Sequence, residues 1–442
     1  MRKMTQGSIA RHLLAYALPL ILGNFFQLTY NAVDSIVIGR FAGERALAAV
    51  SAANPVMTIV ILGVSGISLG ASVLMSRFYG AGDEDALRRE AATTIVFGFF
   101  ASIAVFVPGL LLSGHILSLL RVPAEILPTA KTYLRIIFIG FLFTFQYNIL
   151  AAALRSIGDS RAPVVFLAAS SVLNALLDVL FVAGLGWGAA GAGTATVIAA
   201  AVSALLCAAY INKKVPLLRL TPAQLRVDRA LLAETIRTGG VTALQQACQP
   251  VGKVLIQSVI NAQGVAMIAA FNAVTRVDDF ACIPEQSIGA AMMTCIAQNR
   301  GAGEKARVRE TLRRGMAIEL CYGVMICVVT LLVRTPVMRL FAAQDSADMV
   351  RTGVDYLSLM AFFYILPGLT NGIQGYFRGM GEMKTTLAAT AIQISIRALV
   401  VWLLVPRVGL SGAAVACALG WSVMMVFTFL RWRTVSRRYE DA

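Results

Sequence analysis

The chain has 442 residues, of which 58% are hydrophobic and only 14% are charged, and its mean hydropathy is +0.75. Soluble domains carry about a quarter charged residues, so this composition excludes an ordinary soluble protein and predicts a helical membrane protein. The formal net charge is +15, but the basic residues gather in alternate loops between apolar runs, which disfavours nucleic acid as a partner.

Apolar runs long enough to cross a bilayer recur from end to end, and we predict an all-α polytopic membrane protein with twelve transmembrane helices. The predicted spans are 13–39, 46–77, 91–113, 127–154, 162–183, 190–212, 237–260, 266–299, 311–334, 350–378, 384–404 and 410–432. The polar segment 213–236 divides them into N-terminal (1–212) and C-terminal (237–442) six-helix bundles. We interpret this segment as a solvated cytoplasmic linker; the alternative is contact of its basic residues with anionic lipid headgroups.

Lys and Arg are distributed unequally between the two sides of the predicted spans. The termini and the even-numbered loops hold 26 of the 38 basic residues, and the odd-numbered loops hold 9. By the positive-inside rule, both termini face the cytoplasm. We therefore expect a multi-pass protein of the inner cell membrane.

The two halves of the chain resemble each other at a shift of about 221 to 223 residues. "YGAGDEDALRRE" (79–90) matches "RGAGEKARVRE" (300–310), and "LRSIGDSRA" (154–162) matches "FRGMGEMKT" (377–385). A shift of six spans keeps both halves in the same orientation. They are therefore expected to be parallel repeats with a pseudo-two-fold axis along the membrane normal, an arrangement typical of transporters with substrate sites between the halves.

Four polar residues of the N-terminal half are predicted to lie at similar depths below the outer surface. Asp34 stands five residues before the outer end of span one, roughly 7 Å deep. Asp178 is five residues from the outer end of span five, Thr196 is six residues into span six, and Asn174 lies one turn from Asp178 on the same face. Together they offer oxygen ligands for a small cation, or a proton-binding pair. Alternatively, Asp34 reaches outer water and the amide and hydroxyl groups only link helices.

The sequence resembles the multidrug and toxic compound extrusion (MATE) transporters over essentially its whole length. The resemblance rests on the two six-span halves, "LPLILGNFFQ…DSIVIGRFAG" in span one, "IAQNRGAG" closing span eight, and the arginine–glycine–acid loops. It is closest to the prokaryotic branch whose coupling carboxylates lie in the N-terminal half. The resemblance implies two bundles around a V-shaped central cleft and export of organic, cationic or amphipathic compounds (multidrug efflux) in exchange for Na⁺ or H⁺. It implies neither enzymatic activity nor a cofactor beyond the coupling ion.

The resemblance also implies roles for individual residues. The N-half cation site of the family has aspartate in span one, Asn-xxx-Asp in span five and threonine in span six, which places the coupling ion, including a possible Na⁺, at Asp34, Asn174, Asp178 and Thr196. Pro19 matches the family's span-one proline, which permits bending; the alternative is a first-turn helix proline. The repeat shift places leucines at 255 and 399 opposite the two aspartates, so duplication of this site is not expected.

The C-terminal half carries a second group of charges inside predicted spans, namely Lys253, Arg276, Asp278, Asp279, Glu285 and Arg397. Arg276 and Asp279 are three residues apart and can pair along one helix face. Glu285 lies deeper and can pair with Lys253 or Arg397 between helices. A structural ion-pair network and a direct role in substrate or proton handling both remain open.

Candidate substrate-cavity residues are Gln27, Tyr30, Asn31, Gln146 and Asn148, which would face a central cleft if spans one and four line it. We expect small-molecule substrates and membrane lipids as partners, with no nucleic acid and no obligate protein partner. The nearest alternative is a lipid or lipid-linked oligosaccharide flippase of related architecture, which requires a strongly basic cavity. An ion channel or a non-transporting scaffold would have little use for the two-half repeat.

Overall fold

The computed structural model describes residues 3–341 and 347–441. Within these ranges the chain forms helices and turns and no β-strand, as predicted for an all-α protein. The α-helices are α1 (Ile9–Val37), α2 (Gly43–Ala81), α3 (Glu84–Leu119), α4 (Leu127–Ser156), α5 (Arg161–Asp178), α6 (Gly188–Lys214), α7 (Arg229–Asn261), α8 (Val265–Gly301), α9 (Lys305–Phe341), α10 (Ala347–Phe363), α11 (Ile365–Gly379), α12 (Met383–Val408) and α13 (Leu410–Asp441). Residues 1–2 and 442, part of the predicted cytoplasmic termini, lie outside the described residues.

Each predicted span corresponds to one helix except the tenth, which is divided into α10 and α11 with a bend of 42° at Tyr364. Nine helical runs in the described ranges are long and apolar enough to cross a membrane, or ten if α10 and α11 form one span. The run Ile9–Ala81 contains the first two spans, because the π-helical turn Ile38–Ala42 joins α1 to α2. α7 is not among these runs, since its glutamines and Lys253 lower its hydropathy.

The repeated Gly-Ala-Gly sequences lie at the ends of α2 and α8, and the last glycine of each has nearly the same φ. Gly82 has a φ of 74° and Gly303 a φ of 73°. This left-handed conformation costs a residue with a Cβ roughly 1–2 kcal/mol, which explains the glycines. Directly after Gly82, the Asp83 carboxylate accepts a hydrogen bond of 2.9 Å from the Ala86 N–H and so begins α3.

The chain forms two compact units whose limits fall within helices. The first unit contains Pro19–Ala243, and the second contains Met4–Leu18 and Leu244–Ala442. α1 and α7 therefore each contribute to both units. The predicted linker 213–236 contains two short 3-10 turns and the beginning of α7, which starts at Arg229.

Small residues allow α2 and α7 to approach closely in the first unit. A Cβ built on Gly66 would lie 2.5 Å from the Cβ and the backbone nitrogen of Ala243, and one on Gly70 would lie 2.7 Å from the Gly239 nitrogen. Helix pairs in membranes commonly pack through such residues. The hydrophobic effect does not drive helices together in lipid, so their association depends on close van der Waals contacts. The buried Glu90 of α3 also accepts a hydrogen bond of 2.6 Å from the α7 hydroxyl of Thr235.

The motif that closes span eight holds the N-terminal segment in the second unit. The Met4 N–H donates to Gln298 Oε1 (3.0 Å), and the Asn299 amide and the Arg307 guanidinium donate to the Met4 carbonyl (3.3 and 2.9 Å). The Tyr16 hydroxyl is 3.1 Å from the Thr294 hydroxyl. These contacts give the polar residues Gln298 and Asn299 of "IAQNRGAG" a structural role.

Candidate functional site

Asp34 and Asp178 each stand close to a π-helical turn in the first unit. Asp34 lies in the last turn of α1, which continues into the turn Ile38–Ala42. Asp178 is the last residue of α5, which continues into the π-helical turn Val179–Gly184. The two turns contact each other. π-Helical turns are rare in proteins overall, but those that occur often lie at functional sites, where they change the direction of neighbouring side chains.

The carboxyl groups of Asp34 and Asp178 lie within hydrogen-bond reach of one another. Asp178 is fully buried and Asp34 is half-buried. One oxygen of each, Oδ1, is buried and has no hydrogen-bond partner among the described residues. Two carboxylates at this separation repel each other unless a proton or a small cation lies between them, so such a pair can chemically accommodate one such ion.

Asn174 connects Asp178 to α6. The oxygen and nitrogen of the Asn174 side-chain amide are assigned from the hydrogen bonds that each can form. In this orientation the amide nitrogen donates to Asp178 Oδ2 (3.1 Å) and the amide oxygen accepts from the Thr196 backbone N–H (3.1 Å). The Thr196 hydroxyl instead donates to the Ala192 carbonyl within α6, at 3.0 Å. The structure therefore brings all four predicted ion-site residues together, but Thr196 takes part through its backbone.

Two tyrosines stand near the aspartate pair. Tyr30 of α1 and the buried Tyr133 of α4 are each close enough to Asp34 and Asp178 to interact electrostatically with both. Tyr30 was predicted from its place in span one as a cavity residue. Tyr133 was not among the predicted site residues; the only sequence signal is its coincidence with Tyr356 at the repeat shift.

A cavity of about 400 Å³ lies in the first unit beside this pair. Three of the predicted cavity residues, Gln27, Tyr30 and Asn148, line it, and so do Asn174 and Thr196. Most of its other lining residues are apolar, which is typical of small-molecule sites. The cavity and the carboxyl pair are therefore adjacent and share polar residues.

The two other predicted cavity residues do not line this cavity. Gln146 points to α3, where its amide donates to the Ile95 carbonyl at 3.2 Å. Asn31 is exposed, and its backbone carbonyl accepts a hydrogen bond from the Ser35 hydroxyl (2.9 Å). Gln146 is two residues from Asn148, so helix periodicity places it on another face of α4, whereas Asn31 lies one turn beyond Gln27 on the same face of α1.

Pro19 is the eleventh residue of α1, which begins at Ile9. The alternative of a first-turn helix proline is therefore wrong, because ten helical residues precede Pro19. The assignment of α1 to the two units changes between Leu18 and Pro19. A proline removes one backbone hydrogen bond inside a helix, so the helix bends most easily at this point.

The charges of the second unit form other pairs than those expected from spacing. Lys253 Nζ lies 3.1 Å from Asp279 Oδ1, with both side chains substantially exposed. No ion pair between Arg276 and Asp279 is present in the described ranges, because Lys253 of the neighbouring α7 occupies Asp279 instead. Asp278 accepts a hydrogen bond from the Tyr364 hydroxyl at the bend between α10 and α11.

The expected pairing of Glu285 with Lys253 or Arg397 is also absent among the described residues. Lys253 is held by Asp279, and Arg397 lies near Asp278 and Cys417. Glu285 is fully buried, and it interacts electrostatically with Asp278 of its own helix and with Glu319 of α9. Glu319 was not predicted as a site residue.

Both halves of the chain are similar to known proteins. The sequence model of the MatE family matches residues 19–180 and again residues 242–403. The probable multidrug resistance protein YpnP of Bacillus subtilis is 29% identical over 388 residues, which cover 88% of this chain and 86% of that protein. An FAD transporter of Shewanella oneidensis is 24% identical over 367 residues, 82% of this chain and 79% of that protein.

The fold is also similar to that of solved structures. An outward-facing multidrug resistance MATE family transporter superposes with a TM-score of 0.92 at 21% sequence identity, covering 99% of this chain and 98% of that one. The two family matches repeat in the same order as the two halves of the internal repeat. The family matches confirm the family predicted from the sequence, and the structural similarity confirms the helical membrane-protein fold.

Proposed function

This chain belongs to the MatE family of membrane transporters, and from that premise we propose that it is a cation-coupled antiporter. It exports organic, cationic or amphipathic compounds in exchange for Na⁺ or H⁺. The observation that carries this proposal is the Asp34–Asp178 pair beside a mostly apolar cavity of about 400 Å³. The names of relatives such as the probable multidrug resistance protein of Bacillus subtilis support multidrug efflux.

The coupling ion binds between the carboxyl groups of Asp34 and Asp178. Asn174 donates to Asp178 Oδ2 and fixes that carboxylate, which leaves the two unpartnered Oδ1 atoms for the ion. A bound proton or Na⁺ removes the repulsion between the acids and so favours a closer approach of α1 and α5. The π-helical turns and Pro19 give both helices places to adjust without unfolding.

Coupling requires that ion and substrate favour different conformations of the protein. The cavity supplies a direct route, because Tyr30, Asn174 and Thr196 belong both to its lining and to the surroundings of the aspartate pair. A movement of α1 on ion binding therefore changes the cavity. Substrate release into the outer medium and ion entry from it are linked through these shared residues.

We also propose the membrane location, the topology and the partners of the protein. We place it in the inner cell membrane with both termini in the cytoplasm, because basic residues concentrate in the even-numbered loops. Its functional halves are 1–212 and 237–442, joined by the linker 213–236. Membrane lipids surround it, and no obligate protein partner is required.

Gradient-driven transport in proteoliposomes tests the proposal. The purified chain is reconstituted, a Na⁺ or a pH gradient is imposed separately, and uptake of a fluorescent cationic dye is followed. FAD is included as a second compound, because one relative is an FAD transporter. Asp34→Asn and Asp178→Asn are compared with Asp85→Asn, which replaces an exposed aspartate in the first turn of α3.

We expect uptake under one of the two gradients, its loss in Asp34→Asn and Asp178→Asn, and its retention in Asp85→Asn. The gradient that drives uptake identifies the coupling ion. Uptake that survives both substitutions would contradict the assigned ion site. Folded protein that moves neither compound under either gradient would contradict the antiport function.

A further inference from the structure

Two glutamates of the second unit, Glu285 of α8 and Glu319 of α9, are fully buried. All four of their carboxylate oxygens are without a hydrogen-bond partner among the described residues. The Asn371 amide is near Glu285 but does not reach normal hydrogen-bond geometry. Buried carboxylates are nearly always paired or hydrogen-bonded, because an unpaired buried charge is very costly.

The two side chains meet at the beginning of α11. A Cβ built on Gly368 would lie 3.4 Å from Glu319 Oε2 and 3.7 Å from the carboxyl carbon of Glu285. One turn later, a Cβ on Gly372 would lie 3.3 Å from Glu319 Cγ. The absence of side chains at both glycines lets α11 approach the acids and places both carboxyl groups next to one point on α11.

This point lies beside the break in the tenth span. Pro367 has no backbone N–H, so the Phe363 carbonyl cannot form its normal hydrogen bond four residues on. The Tyr364 N–H is shared between the carbonyls of Met360 (3.1 Å) and Ala361 (3.4 Å), and the helix bends by 42°. Interrupted helices in transporters commonly supply ion and substrate sites, because their free backbone groups can act as ligands.

Nearby cations are engaged elsewhere and do not neutralise the pair. Lys253 is bound to Asp279, and Arg397 lies close to Asp278 and Cys417. The titratable groups that interact electrostatically with the two glutamates are Asp278 and Cys282 of α8 and Tyr322 of α9. None of these three supplies a positive charge. Two ionised glutamates cannot persist side by side in such surroundings without a bound cation.

We propose that Glu285 and Glu319 form a second binding site for one small monovalent cation, either H⁺ or Na⁺, at the break between α10 and α11. The site is built from other helices than the Asp34–Asp178 site and lies in the other compact unit. It goes beyond the proposed function, which needs only the first site. It would give the transporter two ion sites per chain.

Infrared difference spectroscopy of the purified full-length chain tests the proposal without relying on transport. The C=O stretch of protonated carboxyl groups is recorded while NaCl replaces KCl, and separately while the pH is raised. The experiment uses the Asp34→Asn/Asp178→Asn double variant, in which the first site can no longer contribute. Glu285→Gln or Glu319→Gln is then added to that background. Glu310→Gln, at a half-exposed position earlier in α9 that pairs with Arg314, is the matched control.

We expect a carboxyl band in the double variant that disappears when Glu285 or Glu319 is replaced and persists in Glu310→Gln. Loss of the band on addition of NaCl, but not KCl, identifies a site where Na⁺ and H⁺ compete. Loss on raising the pH alone identifies a proton site. A band that responds to neither change, or is absent, or survives both glutamine substitutions would overturn the proposal.

A milder variant covers the case in which the glutamine variants do not fold. Gly368→Ala keeps both carboxyl groups but places a methyl group in contact with them. We expect the band to disappear at a different NaCl concentration or at a different pH than in the protein that retains Gly368. An unchanged response in folded Gly368→Ala protein would contradict a cation site at this point.

Discussion

The contact between α2 and α7 offers a quantitative test of packing in the first unit. In Gly66→Ala the new methyl carbon would lie 2.5 Å from the Ala243 Cβ and nitrogen and 2.6 Å from its Cα. Carbon atoms pack at about 3.5–4.0 Å, so the helices must separate by about 1 Å. Two of the three contacted atoms belong to the backbone, so no rotamer change can relieve the clash. Overpacking of this kind costs about 1–3 kcal/mol.

Gly63 lies on the same helix as Gly66, and a methyl group added there meets nothing within 4 Å, so Gly63→Ala is the matched control. Replacing glycine by alanine inside a helix gains about 0.5–1 kcal/mol in both variants, so their difference isolates the clash. We expect Gly66→Ala to unfold at a lower temperature than Gly63→Ala when the melting of both detergent-solubilised proteins is followed. Adding Ala243→Gly should restore part of the loss. Equal melting temperatures for the two alanine variants would refute this packing argument.

Other substitutions give sharper tests of the polar contacts. Asn174→Leu removes the donor to Asp178, and we expect at least a tenfold loss of gradient-driven transport, since a hydrogen bond to a charged group contributes about 1.5–3 kcal/mol; wild-type rates would contradict this role. Thr196→Val should transport almost normally, because only the Thr196 backbone N–H contacts Asn174; a loss like that of Asn174→Leu would show that the hydroxyl matters. Lys253→Gln breaks an exposed ion pair with Asp279 and should change the stability of the detergent-solubilised protein by less than about 1 kcal/mol, so a large fall in melting temperature would indicate a buried role.

The membrane spans and the aspartate pair could be predicted from the sequence because their signals are local. Long apolar runs identify helices, and an acid inside such a run is costly enough to indicate function. The depth of Asp34 and Asp178 below the outer surface follows from counting residues along straight helices. The repeat shift places leucines 255 and 399 opposite the two aspartates, and the resulting expectation that the aspartate site has no copy at these positions stays a prediction.

Contacts between helices could not be predicted in the same way. Spacing along α8 allows Arg276 to pair with Asp279, yet Lys253 from α7 takes that place. Glu319 is an isolated acid in "GMAIELCYG", and its significance appears only when Glu285 and Gly368 are brought next to it by the fold. The π-helical turns beside the aspartates likewise have no sequence signature, since they depend on how neighbouring helices pack.

Substrate-driven counterflow of the cation tests the exchange mechanism most directly. Proteoliposomes are loaded with the transported compound and no ion gradient is imposed, and entry of Na⁺ or H⁺ is recorded as the compound leaves. We predict cation entry in the wild type and in Asp85→Asn, and none in Asp178→Asn. Efflux of the compound without cation entry, or unchanged cation entry in Asp178→Asn, would contradict coupling through the aspartate pair.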